Sequence, residues 1–367
     1  MLHSQYSNKR FEFNNVWWSS NAQGVNFGDT GDVEAVKEMS YVSQAGVYND
    51  CGVDIKESLL EGRSVVLLSY GMGGSDRMCT LFGPDEPDSE WYRHEKPDPE
   101  WGLVPRIVHS LFAEKPTGSR ITWKHFQSVV DIVRDLNSGP VPQSRIYKEG
   151  FRKDKDGFIG IEWLTTVAAS SWNEFRVAVE SSTKRALTLS TQSERISYTG
   201  HLFLVVEVDV AGSDNAVGRL YAVLLAPTQP AGDIVVGEYK DSTQPDGTIS
   251  SVFTPGDVKV TSDHRNVLKK INLSLTELAQ FFMKMAEAAK KKRLKPGQNI
   301  PGCNSYFLCK FLKDTMSKSK TTLIANVRPE AKHNNYTFSA LGFCKNAATM
   351  SVLSRATPLN RSNIPSD

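Results

Sequence analysis

A short apolar run, Ser64–Tyr70 (SVVLLSY), runs directly into the glycine-rich stretch Gly71–Met78 (GMGGSDRM). An apolar run of this length that ends in glycine reads as a buried strand. A glycine-rich turn between a strand and a helix start is the setting of a phosphate-binding loop, where backbone N–H groups close around phosphate oxygens. In such a loop the closing lysine reaches the outer phosphates and the following hydroxyl ligates Mg²⁺. Here Gly71, Gly73, Gly74 and Ser75 are present, but the last glycine is Asp76, the lysine is Arg77 and the hydroxyl residue is Met78. Asp76 puts a carboxylate beside the phosphates, Arg77 keeps the charge on a bulkier planar group, and Met78 offers Mg²⁺ no hard oxygen. Taken alone, the stretch reads first as a plain turn, because glycine-rich strand-to-helix turns are common.

The rest of the chain alternates strand-like and helix-like segments from about Arg10 to Met350. His201–Val210, Gly218–Ala226 and Thr321–Val327 read as further strands. Ile107–Phe112 and Phe126–Leu136 read as helices. A long helix is predicted from about Val267 to Lys292, where Ile271, Leu275, Leu278, Phe282 and Met285 recur at helical spacing. Leu308, Phe311, Leu312 and Met316 mark another helix, and Phe338, Leu341 and Ala348 the last. This alternation predicts a layered α/β fold around a mostly buried sheet. Pro84–Pro99 reads as an exposed excursion, Gln229–Asp263 as a long mobile loop region and 351–367 as a flexible tail. No heptad pattern is sustained, so no coiled-coil stalk is expected.

With 367 residues, 40% of them hydrophobic, the chain can bury a sizeable core as one large or two smaller domains. The formal net charge of +2 points to neither nucleic acid nor membrane. No apolar run approaches the length of a membrane span. Cys51, Cys79, Cys303, Cys309 and Cys344 are scattered without a C-x-x-C pair, which suggests reduced thiols in the cytosol. His125, His201 and His264 lack metal-ligand spacing and read as structural, and no metal site is expected. Asp154–Gly157 (DKDG) has Arg152 and Trp163 where a calcium loop needs acids, so it reads as a hairpin turn.

Collinear segments then resemble the kinesin motor domain family. Lys9–Ser19 resembles F-x-F-D-x-V-F, and Ser64–Gly83 resembles A-Y-G-Q-T-G-S-G-K-T-Y-T-M-x-G. Gly102–Phe112 (GLVPRIVHSLF) resembles G-I-I-P-R-A-x-x-x-L-F, and Phe126–Leu136 the second half of S-Y-x-E-I-Y-N-E-x-V-x-D-L-L. Lys269–Phe282, Asn299–Val327 and Thr337–Ala347 resemble I-N-K-S-L-x-A-L-G-x-V-I, the I-P-Y-R-x-S-K-L-T…I-A-N-V stretch and T-L-x-x-L-x-F-A-x-R-A. The resemblance covers about 9–350 and implies one kinesin-motor-like P-loop NTPase domain, with a mixed central sheet flanked by helices on both faces.

The departures cluster at the nucleotide. The first switch, N-x-x-S-S-R-S-H, falls on Glu194–His201: Ser197 and His201 match, but Thr199 stands for the arginine. The second, D-L-A-G-S-E, falls on Leu224–Gln229. Leu224 replaces the Asp of the Mg²⁺ shell, Pro227 replaces the γ-phosphate-sensing glycine and has no N–H, and Gln229 replaces the glutamate partner of the switch arginine. A shifted alignment is the bland alternative, but no intact D-x-x-G-x-E exists nearby. The family's first strand, with its adenine-holding R-x-R-P end, is also missing before the F-x-F match: either the chain is truncated or that strand is absent. The resemblance therefore implies a microtubule-associated pseudo-motor that needs no ATP or Mg²⁺ cofactor. The rivals are a non-catalytic subunit of an active kinesin and a slow residual ATPase using Arg77. Lys290, Lys291, Lys292, Arg293 and Lys295 follow the long helix. In the family's layout they would face tubulin's acidic tails; they also read as an ordinary solvated helix end or a nuclear-import or nucleic-acid patch. The expected location is the microtubule cytoskeleton of the cytoplasm.

Overall fold

The computed structural model describes residues 11–19, 41–84, 93–154, 156–212, 217–228, 230–245, 249–290, 303–328 and 333–354. Its centre is a mixed sheet of order β14-β1-β11-β10-β2-β3-β4, ending at β4 (Gln143–Ile146), with β7 (Val167–Ala169) pairing β2. β1 (Ser64–Gly71) runs parallel to both β11 (Val217–Leu224) and β14 (Lys320–Asn326). β10 (His201–Asp209) is antiparallel to β11 and to β2 (Arg120–Val129). β1 is buried along its whole length, which is why it carries an unbroken apolar run instead of an alternating one.

The pleat of β1 splits its side chains between two cores. Val66, Leu68 and Tyr70 join the cluster under α5 (Val258–Lys290), α6 (Phe307–Met316) and α7 (Asn334–Ser354). Val65 and Leu67 join the opposite cluster, under α1 (Val53–Leu60), α3 (Leu103–Glu114) and α4 (Trp172–Thr183). A short helix, α2 (Arg77–Leu81), follows the glycine-rich turn.

Three expectations change. Phe126–Leu136 is not a helix: it is the end of β2 and β3 (Ile132–Asp135), joined by a tight turn with Val130 at φ 58°. Phe126 and Val133 are buried on the sheet, a setting that suits aromatic and β-branched side chains. The region after Gln229 is not a long loop. β12 (Val236–Thr243) and β13 (Ile249–Pro255) form a hairpin there, and α5 begins at Val258, well before the predicted start. Its turn residues mark the links between these elements, not one continuous loop. The tail expected from residue 351 is helical as far as Ser354. Asp154–Gly157 does form a hairpin turn, between β5 (Phe151–Lys153) and β6 (Ile159–Ile161). Asp154 Oδ1 accepts from the Phe158 N–H at 2.8 Å, and Arg219 meets the carboxylates of Asp154 at 3.1 Å and Asp156 at 3.3 Å. A protein cation thus neutralises the acids that a calcium loop would offer to metal.

Candidate functional site

The loop after β1 leaves the sheet between two parallel neighbours, at the carboxyl end of the strand, where open α/β sheets place ligands. Two of its glycines are required by space. A Cβ on Gly71 would lie 2.2 Å from the Asn326 carbonyl oxygen, and Gly74 has φ 71° with the Ser193 carbonyl 2.8 Å from any Cβ. Asp76 holds the left-handed conformation (φ 57°, ψ 30°), so the backbone of the missing glycine survives without the residue that favours it. Burial raises the Asp76 pKa; nearby Arg328 opposes this and Glu194 adds to it. The Ser75 hydroxyl is turned into the loop, donating to Met72 O at 2.8 Å, and Gly73 is buried.

Arg77 is 5% exposed and folds back beneath the loop. Its Nε donates to Met72 O at 3.1 Å, one Nη to Leu225 O, and the other Nη to Glu194 Oε1 at 2.6 Å. The same Oε1 accepts the Gly74 N–H at 3.1 Å, and Oε2 accepts the Ser197 hydroxyl at 2.6 Å. One carboxylate therefore takes a loop N–H, the loop cation and a switch hydroxyl. These are donors of the kind that a phosphate group uses. Glu194 begins β9 (Glu194–Tyr198), and the N–H groups of Ser193 and Glu194 donate to Thr191 Oγ1, which fixes the approach.

The second-switch segment is tied down on the other side. The Leu225 N–H donates to Ser69 O at 3.1 Å and the Thr228 N–H to Gly71 O at 2.9 Å. The Ala226 N–H donates to His201 Nδ1 at 3.0 Å, so His201 carries its proton on Nε2, 3.2 Å from Ser274 Oγ. Burial and the neighbouring Arg77 charge push the His201 pKa down to about 3; burial alone does the same for His125. Both rings are neutral in the fold and charge on unfolding below their free pKa of about 6.5. The unfolded chain then binds more protons, so stability falls as pH drops from about 6.5 towards 3. Urea unfolding between pH 6 and pH 4 should show the two histidines adding a slope approaching about 2–3 kcal/mol per pH unit.

Arg77, Met78, Leu224 and Pro227 line one hollow together with Glu194 and Tyr198. It has a volume of about 10 Å³, barely the space of one water. Thr199 takes no part: its N–H donates to Leu187 O and its carbonyl accepts from Gln127, each at 2.9 Å. Gln229, Lys291, Lys292, Arg293, Lys295 and the side chain of Lys290 lie outside the described residues. Among the described residues, no group of three or more His, Cys, Asp or Glu could hold a metal, and no helix is long and apolar enough to cross a membrane.

Glu194 was missed by motif reading, although a signal existed. An acid stands where the first-switch pattern has asparagine, in the same chain that puts arginine for the loop lysine. The new acid balances the positive charge that the loop keeps in Arg77, and only their meeting in space shows it.

Residues 2–229 match the family model for the kinesin motor domain. The chain belongs to the kinesin motor domain family. Among similar proteins, kinesin-like protein KIF28P of Homo sapiens is 24% identical over 347 residues, covering 92% of this chain and 31% of that protein. Kinesin-like protein KIF1A of Rattus norvegicus is 23% identical over 358 residues, covering 92% of this chain and 18% of that protein. This kinesin domain thus spans under a third of the length of these relatives. A solved KIF14 dimer with AMP-PNP, in complex with a microtubule, superposes with a TM-score of 0.64 at 21% identity. The match covers 85% of this chain and 78% of that one, and it shows the shared fold.

Proposed function

We propose that this kinesin domain is a non-catalytic, microtubule-associated scaffold of the cytoplasm, without ATP or Mg²⁺ as cofactor. The observation that carries the reading is the Glu194 carboxylate on Gly74 and Arg77. It uses the donors that a phosphate chain would need. Leu224 supplies no oxygen towards a metal shell, and Pro227 has no N–H to give. Microtubule association is supported by family membership and by the KIF14 structures, which were solved on microtubules.

The nucleotide half is tested by titrating Mg·ATP into the purified domain with calorimetric detection. No saturable binding is expected at millimolar nucleotide. A dissociation constant below about 100 μM, about −5.5 kcal/mol, overturns the reading.

The microtubule half is tested by co-sedimentation at graded salt. Lys290 is the last residue of α5, Lys291, Lys292, Arg293 and Lys295 come after it in sequence, and the five would meet acidic tubulin tails. Changing all five to alanine should weaken binding at low salt by about 1–3 kcal/mol in sum, at some tenths per exposed charge. It should also flatten the salt dependence, because the screening length falls from about 10 Å at 0.1 M to about 3 Å at 1 M. If the quintuple variant sediments like the parent at every salt concentration, the basic run is only a solvated helix end.

A further inference from the structure

Two stretches far apart in sequence meet beside the site. β8 (Thr188–Thr191) and β9 carry Glu194 and Ser197; the stretch after Pro227 leads through β12 and β13 into α5. Together they form a four-stranded sheet of order β13-β12-β8-β9, separate from the central one. Its middle junction is short, with only Val236 opposite Thr191 and Gly237 opposite Ser190.

Gln192 extends that junction. Its backbone N–H donates to Val235 O at 3.3 Å, its Oε1 accepts the Val235 N–H at 2.8 Å, and its Nε2 donates to the Asp233 carbonyl. A side-chain amide here supplies the bonds of a further rung of strand. Tyr239 adds a bond from its hydroxyl to Thr191 O at 2.9 Å. The same short segment is bonded to the long helix on its other side. The Val236 N–H donates to Thr261 Oγ1 at 3.3 Å, and Arg265 Nε donates to Ile234 O at 2.8 Å. Residues 233–236 are therefore held by Gln192 from the hairpin that bears Glu194, and by Thr261 and Arg265 from α5.

We propose that Gln192 is the clasp that joins the hairpin bearing Glu194 to the first turns of α5, so that the site face and the long helix keep one fixed mutual arrangement. Gln192 is a positioning residue, acting on α5 only through 233–236.

Hydrogen–deuterium exchange on the full chain tests it. Gln192→Ala removes two side-chain hydrogen bonds, which at about 1 kcal/mol each corresponds to about thirtyfold in a local opening equilibrium. The expected result is about ten- to thirtyfold faster exchange at Val235–Gly237 and in the Thr261–Leu268 turns of α5, with β1, β10 and β11 unchanged. Gln192→Glu keeps the acceptor for Val235 and loses the donor, and should give an intermediate rise. Arg195→Ala, which breaks the Arg195–Asp241 pair on the exposed part of the same sheet, should leave both segments unchanged. Faster exchange confined to the β8–β9 turn in both Gln192 variants overturns the clasp, and so does an equal rise in α5 for Arg195→Ala.

Discussion

Replacing Glu194 by alanine should lower the unfolding free energy by about 2–4 kcal/mol, measured by urea denaturation at neutral pH. Removing one partner of a buried ion pair costs about 3–5 kcal/mol, because the remaining charge stays desolvated. Arg77 has a side chain only 5% exposed, while Glu194 keeps 15%, so some water access reduces the full figure. Losing the carboxylate also leaves the Gly74 N–H and the Ser197 hydroxyl without their acceptor. Arg77→Met alone should be destabilising too, since it strands the carboxylate and frees the carbonyls of Met72 and Leu225. The double variant Arg77→Met with Glu194→Ala should be clearly less unstable than the sum of the two singles, because each single strands the charge that the other removes. Strict additivity would mean that the pair is not a coupled unit.

Restoring the loop residues alone should not create an ATPase. Arg77→Lys with Met78→Thr returns a phosphate contact and a metal ligand. It leaves the Glu194 carboxylate on the Gly74 N–H, Leu224 without an oxygen and Pro227 without an N–H. Phosphoryl transfer depends mainly on positioning and charge neutralisation. A single missing transition-state donor typically costs about 10²–10³ in rate, so Leu224 and Pro227 alone hold turnover about 10⁴-fold or more below a complete site. Turnover measured with and without microtubules should stay at background. Strong microtubule-stimulated hydrolysis by the double variant would show that the second switch lies elsewhere in the sequence.

The fold was legible wherever local pattern and burial agree. The strand Ser64–Tyr70 is apolar because both its faces are covered, and the register of Ile271, Leu275, Leu278 and Phe282 matches the buried face of α5. Pattern failed where tertiary contacts set the conformation. Phe126–Leu136 spaces its apolar residues in a way that suits a helix, yet β10 pairs along β2 and pulls the segment into the sheet. The polar composition of Glu238–Thr243 suggested a loop, but a hairpin whose side chains face solvent needs only its backbone ladder.

The sequence by itself determined the family, the place of the glycine-rich turn and the absence there of the family pattern's lysine and hydroxyl, because these are properties of residues in order. It could not show what replaced them. Arg77 and Glu194 are 117 positions apart, and each by itself reads as a departure from a motif. Only the packing of β9 against the loop brings the carboxylate within 2.6 Å of the guanidinium and within 3.1 Å of the Gly74 N–H. A buried cation needs a counter-charge, and which anion supplies it is decided by the tertiary fold.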